Sequence, residues 1–206
     1  MAAFPLWPFF REAFGDELCI VHLTRHPVYW AFSQMTHGYY SEVRKDNYVR
    51  LMQLAPTDAG VSLKEYAPRW QHMDQLEKCY YMWCEINKYE SEIFEMTDPG
   101  HRLRIAYERW FAVDADLLER ITTLAGLPHR PELLQEVGNV EDKYYFVLRS
   151  HREPDAETLS RYALSRLHRQ PRVTALARDL GYDTSTVDGS YLRRRYVQGS
   201  AARDVM

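Results

Sequence analysis

Cysteine is scarce in this chain: Cys19, Cys79 and Cys84 are all it has. An odd number, with no pair at metal-ligand spacing, argues against a disulfide framework and against structural zinc. Reduced, buried thiols fit better. Long apolar runs are missing too, and no stretch approaches the roughly 20 residues of a membrane-spanning helix. The opening from Met1 to Phe10 is apolar but short and has no cationic leader, so it lacks the pattern of a signal peptide. A cytoplasmic protein without a membrane segment is the expectation. Charge of one sign is not in excess. The net charge of −3 disfavours a general nucleic-acid binder but leaves room for a local basic pocket. There are no internal repeats. A phosphate loop with Lys and Ser or Thr is also absent, as is a magnesium carboxylate to go with it, which excludes a kinase-like reading.

What is present belongs to an ordinary folded protein. With 46% hydrophobic and 27% charged residues, wholesale disorder is ruled out. A length of 206 residues supports one domain with a real core and is marginal for two. We expect a single α/β domain over residues 1–183, followed by a polar, frayed tail over 184–206.

Along the chain, Phe4 to Phe14 reads as a short helix entered through Pro8 and stopped at Gly15, its aromatics packing under the next strand. Cys19 to Leu23 is a β-type apolar run, the pattern of a strand buried on both faces. Pro27 suits a first helical turn. From there Val28, Ala31, Phe32 and Met35 form one apolar stripe, with Trp30, Ser33 and His37 on the other side. Tyr39 to Ala59 reads as loop. Ser62 with Glu65 has capping-box spacing, and Pro68 divides the helical region that follows. Leu76, Cys79, Trp83, Ile86 and Ile93 make a buried stripe in its second part, where Trp83 is packing. Arg102 to Ala106 is a short alternating strand leading to Tyr107 and Glu108, and Glu108 suits a structural role. Asp114 or Asp116 opens a helix that turns Leu117, Leu118, Ile121 and Leu124 inward and ends at Gly126. Glu132 to Val137, Ala156 to Leu167 and Arg172 to Leu180 are further helices, the last closed by Gly181.

The first strand and the helix after it carry the chemistry. Arg25 stands at the strand's carboxyl end, and Ser33 on the helix would point into the same crevice. Open α/β sheets bind ligands there. A guanidinium fork with a hydroxyl near a helix start suits a phosphate monoester. A strand, then Arg25, one residue, Pro27 and then Ser33 resembles the 3′-phosphate-binding motif of sulfotransferases that use 3′-phosphoadenylyl sulfate (PAPS). Leu103-Arg-Ile-Ala-Tyr107-Glu108 with Leu117 to Leu127 resembles that family's strand-Tyr-Glu element and the helix after it. Tyr80 to Asn87 is similar to its central helix. The likeness runs in order over roughly residues 8 to 127.

The resemblance implies a three-layer α/β/α fold of the P-loop type, with a short parallel sheet and a helix-rich C-terminal half. It implies transfer of a sulfuryl group from PAPS to a hydroxyl or amine of a small-molecule, carbohydrate or lipid acceptor, with no metal. Arg25 and Ser33 would hold the 3′-phosphate, Tyr107 would lie near the adenine, and Arg149 and Arg152 would close over the phosphate. The family's 5′-phosphosulfate loop has no counterpart before Cys19, so the fold is expected to be N-terminally truncated. No general base is assigned. His22 reads as a core histidine, His26 as lining for the phosphate pocket, and His37 as the weak candidate. Two other readings compete: a non-catalytic nucleotide-binding protein of the same fold, and a helix-turn-helix over Val173 to Val187 with Arg193-Arg-Arg195 as its basic follow-on.

Overall fold

Ile20–Thr24 and Arg102–Ala106 pair in parallel, with Ile20 opposite Arg102 and Thr24 opposite Ala106. The computed structural model describes residues 6–42, 51–110, 115–128, 130 and 155–193. In chain order the regular elements are α1 (Trp7–Phe14), β1 (Ile20–Thr24), α2 (Pro27–Thr36), α3 (Gln75–Met96), β2 (Arg102–Ala106), α4 (Tyr107–Trp110), α5 (Ala115–Leu124), α6 (Ala156–His168) and α7 (Pro171–Asp179). Short 3₁₀ segments occupy Gly15–Glu17, Lys64–His72 and Pro99–His101. The protein is thus helix-rich α/β with a two-stranded parallel sheet among the described residues. The described residues fall into two compact units. Those up to His26 join those from Ile86 to Arg130, and Pro27–Glu85 joins those from Asp155 on.

In the first unit, register places Val21, Leu23, Leu103 and Ile105 on one face of the sheet. Leu103 and Ile105 are buried with Leu117, and Ile121 and Leu124 pack against them, so α5 covers β2. Gly126 ends this helix region at φ 63°, where a side chain would be strained, as the sequence anticipates. The expectation for β1 is corrected. Val21 and Leu23 are 44% and 47% exposed, because one helix lies over the β2 half of this face and leaves the β1 half open. The expectation for the first helix is corrected too. Helix α1 begins and ends where the prolines and Gly15 say it should, yet it buries none of its residues. Its rings meet one another instead, Phe10 lying 5.9 Å from Phe9 and 6.3 Å from Phe14.

In the second unit, Val28, Ala31, Phe32 and Met35 are buried as their spacing requires. Leu76, Cys79 and Trp83 are fully enclosed, and so are Tyr80 and Tyr81 on other sides of α3. Over residues 76–85 the helix is enclosed on most sides, which makes that stretch the centre of the core. Ser62 does not cap the 3₁₀ segment Lys64–His72 that follows it. Its backbone N–H and hydroxyl both donate to the Glu85 carboxylate, at 3.0–3.1 Å, and the Leu63 N–H joins them. The cap of α3 lies at Asp74. The Asp74 carboxylate accepts from the Glu77 N–H and the Glu77 carboxylate accepts from the Asp74 N–H, both at 2.9 Å. Asp74 Oδ2 also takes the Tyr162 hydroxyl and an ion pair from Arg166, which bind α6 to the start of α3. The Gln170 amide donates to the Glu77 carbonyl at 2.9 Å and holds the α6–α7 turn against the same end.

Residues 184–193, polar in composition, are not frayed. Leu192 is fully buried, Tyr191 lies 4.9 Å from the Tyr29 ring, and the Asp188 N–H donates to the Tyr29 hydroxyl at 2.8 Å. Gly189 makes this possible, since a Cβ there would stand 2.2 Å from the Ala156 carbonyl oxygen.

Two predictions concern the second unit. Glu85→Gln turns an amide N–H₂ toward donors and should lower the unfolding free energy by about 1–3 kcal/mol, read by chemical denaturation. Burial, followed by the Cys84 thiol, pushes the Tyr66 phenol up to about 12, and burial with the Asp74 charge does the same for Tyr162. Burial likewise raises Tyr40, Tyr80 and Tyr81. Unfolded tyrosines ionise near pH 10, before the folded ones, so stability should be full below that pH and fall as pH climbs toward 12. Ultraviolet titration should show these phenols ionising together with unfolding; free ionisation while the chain stays folded would contradict their burial.

Candidate functional site

Because β1 and β2 are parallel, their carboxyl ends lie at the same edge of the first unit. The Thr24 hydroxyl donates to the Ile105 carbonyl at 3.3 Å and ties the carboxyl ends of the two strands together. The next residue on each chain is chemically distinctive. The Arg25 guanidinium carbon sits 4.5 Å from the centre of the Tyr107 ring, a cation–π stack between residues remote in sequence. One residue further, the Glu108 carboxylate accepts the His26 N–H at 3.0 Å. Glu108 therefore steadies the turn from strand to Pro27, in line with the structural role expected for it. It also occupies a backbone donor that an anion could otherwise use.

Ser33 belongs to the second unit, half-buried in α2. Its carbonyl accepts from the Thr36 hydroxyl at 2.8 Å, while its own hydroxyl makes no hydrogen bond within the described residues. Arg25 and Ser33 thus fall in different units, and their meeting stays an expectation. Arg149 and Arg152 lie outside the described residues.

The histidines sort by surroundings. His22 is 3% exposed. Its Nδ1 accepts from Arg104 Nε at 3.2 Å, and Nε2 stands 3.4 Å from Glu90 Oε2. Arginine can only donate, so the ring proton belongs on Nε2, facing the carboxylate. Phe94 lies alongside, with both Arg102 and Arg104 stacked on its ring. This is a core histidine, as its place inside the strand implies. His26 is buried, and His37 is half-buried just past the end of α2. No group of three or more His, Cys, Asp or Glu among the described residues is placed to hold a metal ion. No helix among them is long and apolar enough to cross a membrane.

Sequence reasoning missed the Asp74 cap, although Asp74 and Glu77 have capping-box spacing. It also missed the Glu85 anchor, whose partners lie 22 and 23 residues away and leave no local signal. Thr184 to Val187 does not supply a second helix for helix-turn-helix docking. Ser185 and Thr186 fold around the Asp183 carboxylate in a turn instead.

No protein-family model matches the chain, and no curated protein or solved structure matches it either.

Replacing Glu108 by Ala removes the acceptor for the His26 N–H. The variant should lose about 1–3 kcal/mol of unfolding free energy, measured in urea, with loss of amide-exchange protection at His26. Unchanged protection at that amide would show that the turn does not rely on the carboxylate.

Proposed function

We propose that the chain binds the ribose 3′-phosphate of an adenosine 3′,5′-bisphosphate nucleotide and acts as a PAPS-dependent sulfotransferase, delivering a sulfuryl group to a hydroxyl or amine acceptor. One observation carries the reading. The parallel pair brings Arg25, at the exit of one strand, onto Tyr107, at the exit of the other. The resemblance assigns these two residues to the same nucleotide for separate reasons, one to its phosphate and one to its base. The three-layer P-loop-like architecture is part of the proposal.

The physical case rests on what each group offers. Stacking on Tyr107 holds the Arg25 guanidinium in one place, and a guanidinium is the side chain suited to bidentate phosphate recognition. The resemblance alone assigns the Ser33 hydroxyl to that phosphate, as a neutral donor. Sulfuryl transfer also requires in-line placement of the acceptor and stabilisation of charge on the leaving oxygen. In the resembling family a Gly-, Ser- or Thr-rich loop after an earlier strand serves that end. A second reading keeps the same 3′-phosphate pocket for binding without transfer.

Calorimetric titration with adenosine 3′,5′-bisphosphate tests both readings. Wild-type protein should bind, and Arg25→Ala should weaken binding by about 1.5–3 kcal/mol, roughly 10- to 150-fold. No binding by folded wild-type protein overturns both. Binding without release of adenosine 3′,5′-bisphosphate from PAPS, across sugar, amine and phenol acceptors, selects the second.

A further inference from the structure

At the opposite, amino-terminal edge of the same strands the first unit has a cleft of about 410 Å³. That volume falls in the range of small-molecule sites, roughly 300–1,000 Å³. One wall comes from α1 and the turn after it, with Trp7, Arg11 and Asp16. The other comes from the end of α3 and the turn into β2, with Met96, Asp98 and His101. We propose that this cleft binds a neutral sugar, and the proposal does not depend on the nucleotide reading.

The charged side chains of the cleft are the starting point. Neither Arg11 nor Asp16 makes an ion pair or side-chain hydrogen bond with the described residues. Asp98 uses Oδ1 to receive the Gly100 N–H at 2.7 Å, and its Oδ2 has no such task. The His101 ring is likewise uncommitted, only its backbone N–H being bonded, to the Asp98 carbonyl at 2.9 Å. Opposite charges therefore face one cleft without closing on each other. A site of that kind offers donors and acceptors around a space.

The chemistry then narrows the ligand. Two carboxylates disfavour a phosphate or other anion, and Arg11 disfavours an organic cation. The histidine and carboxylates are not grouped to hold a metal ion. Four polar side chains disfavour a purely apolar ligand. A sugar satisfies every element at once. Its hydroxyls donate to carboxylates and accept from a guanidinium, and its C–H face lies against the Trp7 indole. Helix α1 supplies that indole without needing it for the core, since none of the helix's residues is buried.

The test uses nuclear magnetic resonance on the full chain, following the Trp7 indole N–H, assigned as the signal missing from Trp7→Phe. Glucose, galactose and N-acetylglucosamine are titrated separately, with glycine and inorganic phosphate as charged controls. At least one sugar should shift the Trp7 signal saturably, with millimolar affinity. Asp16→Asn, at an exposed position that leaves the fold intact, should weaken that binding about 5- to 10-fold, the scale of one hydrogen bond. Arg25→Ala should leave it unchanged. An immobile Trp7 signal overturns the proposal, as does a shift produced by glycine or phosphate but by no sugar, or one indifferent to Asp16→Asn.

Discussion

Ten residues in two strands, joined in one parallel register, carry the organisation of the first unit. Parallel pairing sends both chains the same way, so whatever follows Thr24 must emerge beside whatever follows Ala106. The Arg25–Tyr107 stack and the hold of Glu108 on the His26 N–H are consequences of that direction. An antiparallel pair would have sent the arginine and the tyrosine to opposite edges. The same logic produces the cleft at the other end, where Leu18 and His101 enter the strands together.

The second unit depends on a different kind of constraint. Residues 76–85 of α3 are largely enclosed, so the polar groups there must be answered inside the protein. Asp74 and Glu77 answer one another at its start, and Asp74 then serves Tyr162 and Arg166 as well. Two turns further on, Glu85 gathers donors from Ser62 and Leu63. These carboxylates connect α3 with segments before and after it, and they choose a single arrangement among many that would bury the same apolar surface.

Elements with a strong internal period were legible in the sequence. The stripe of α2, the alternation of β2, the inward leucine of α5 and the Gly181 stop after α7 all stand where periodicity and turn chemistry put them. Readings that needed a partner elsewhere fared differently. The aromatics of α1 look like core residues, but no element among the described residues buries them. Val21 and Leu23 look buried on the same local evidence, and the two strands among the described residues leave them too few neighbours to be enclosed. Ser62 has the spacing of a cap, but Glu85 competes for it from a distance that no local pattern records. In the candidate site, Arg25 was legible through its place at a strand exit, and Tyr107 through the family resemblance alone. The cleft residues were not, because each is an ordinary surface side chain until two turns are brought face to face.

The two units are interleaved along the chain, and this shapes how the molecule can be made. Neither corresponds to a continuous stretch that could be excised and expressed alone. On the ribosome, residues 27–85 emerge early but must wait for α6, α7 and finally Leu192 before their core is closed. Contacts of such long sequence separation slow folding and keep apolar surface open in the meantime. Gly189, pressed against the first turn of α6, arrives after the rest of that core, so the second unit is completed only once Leu192 has been made.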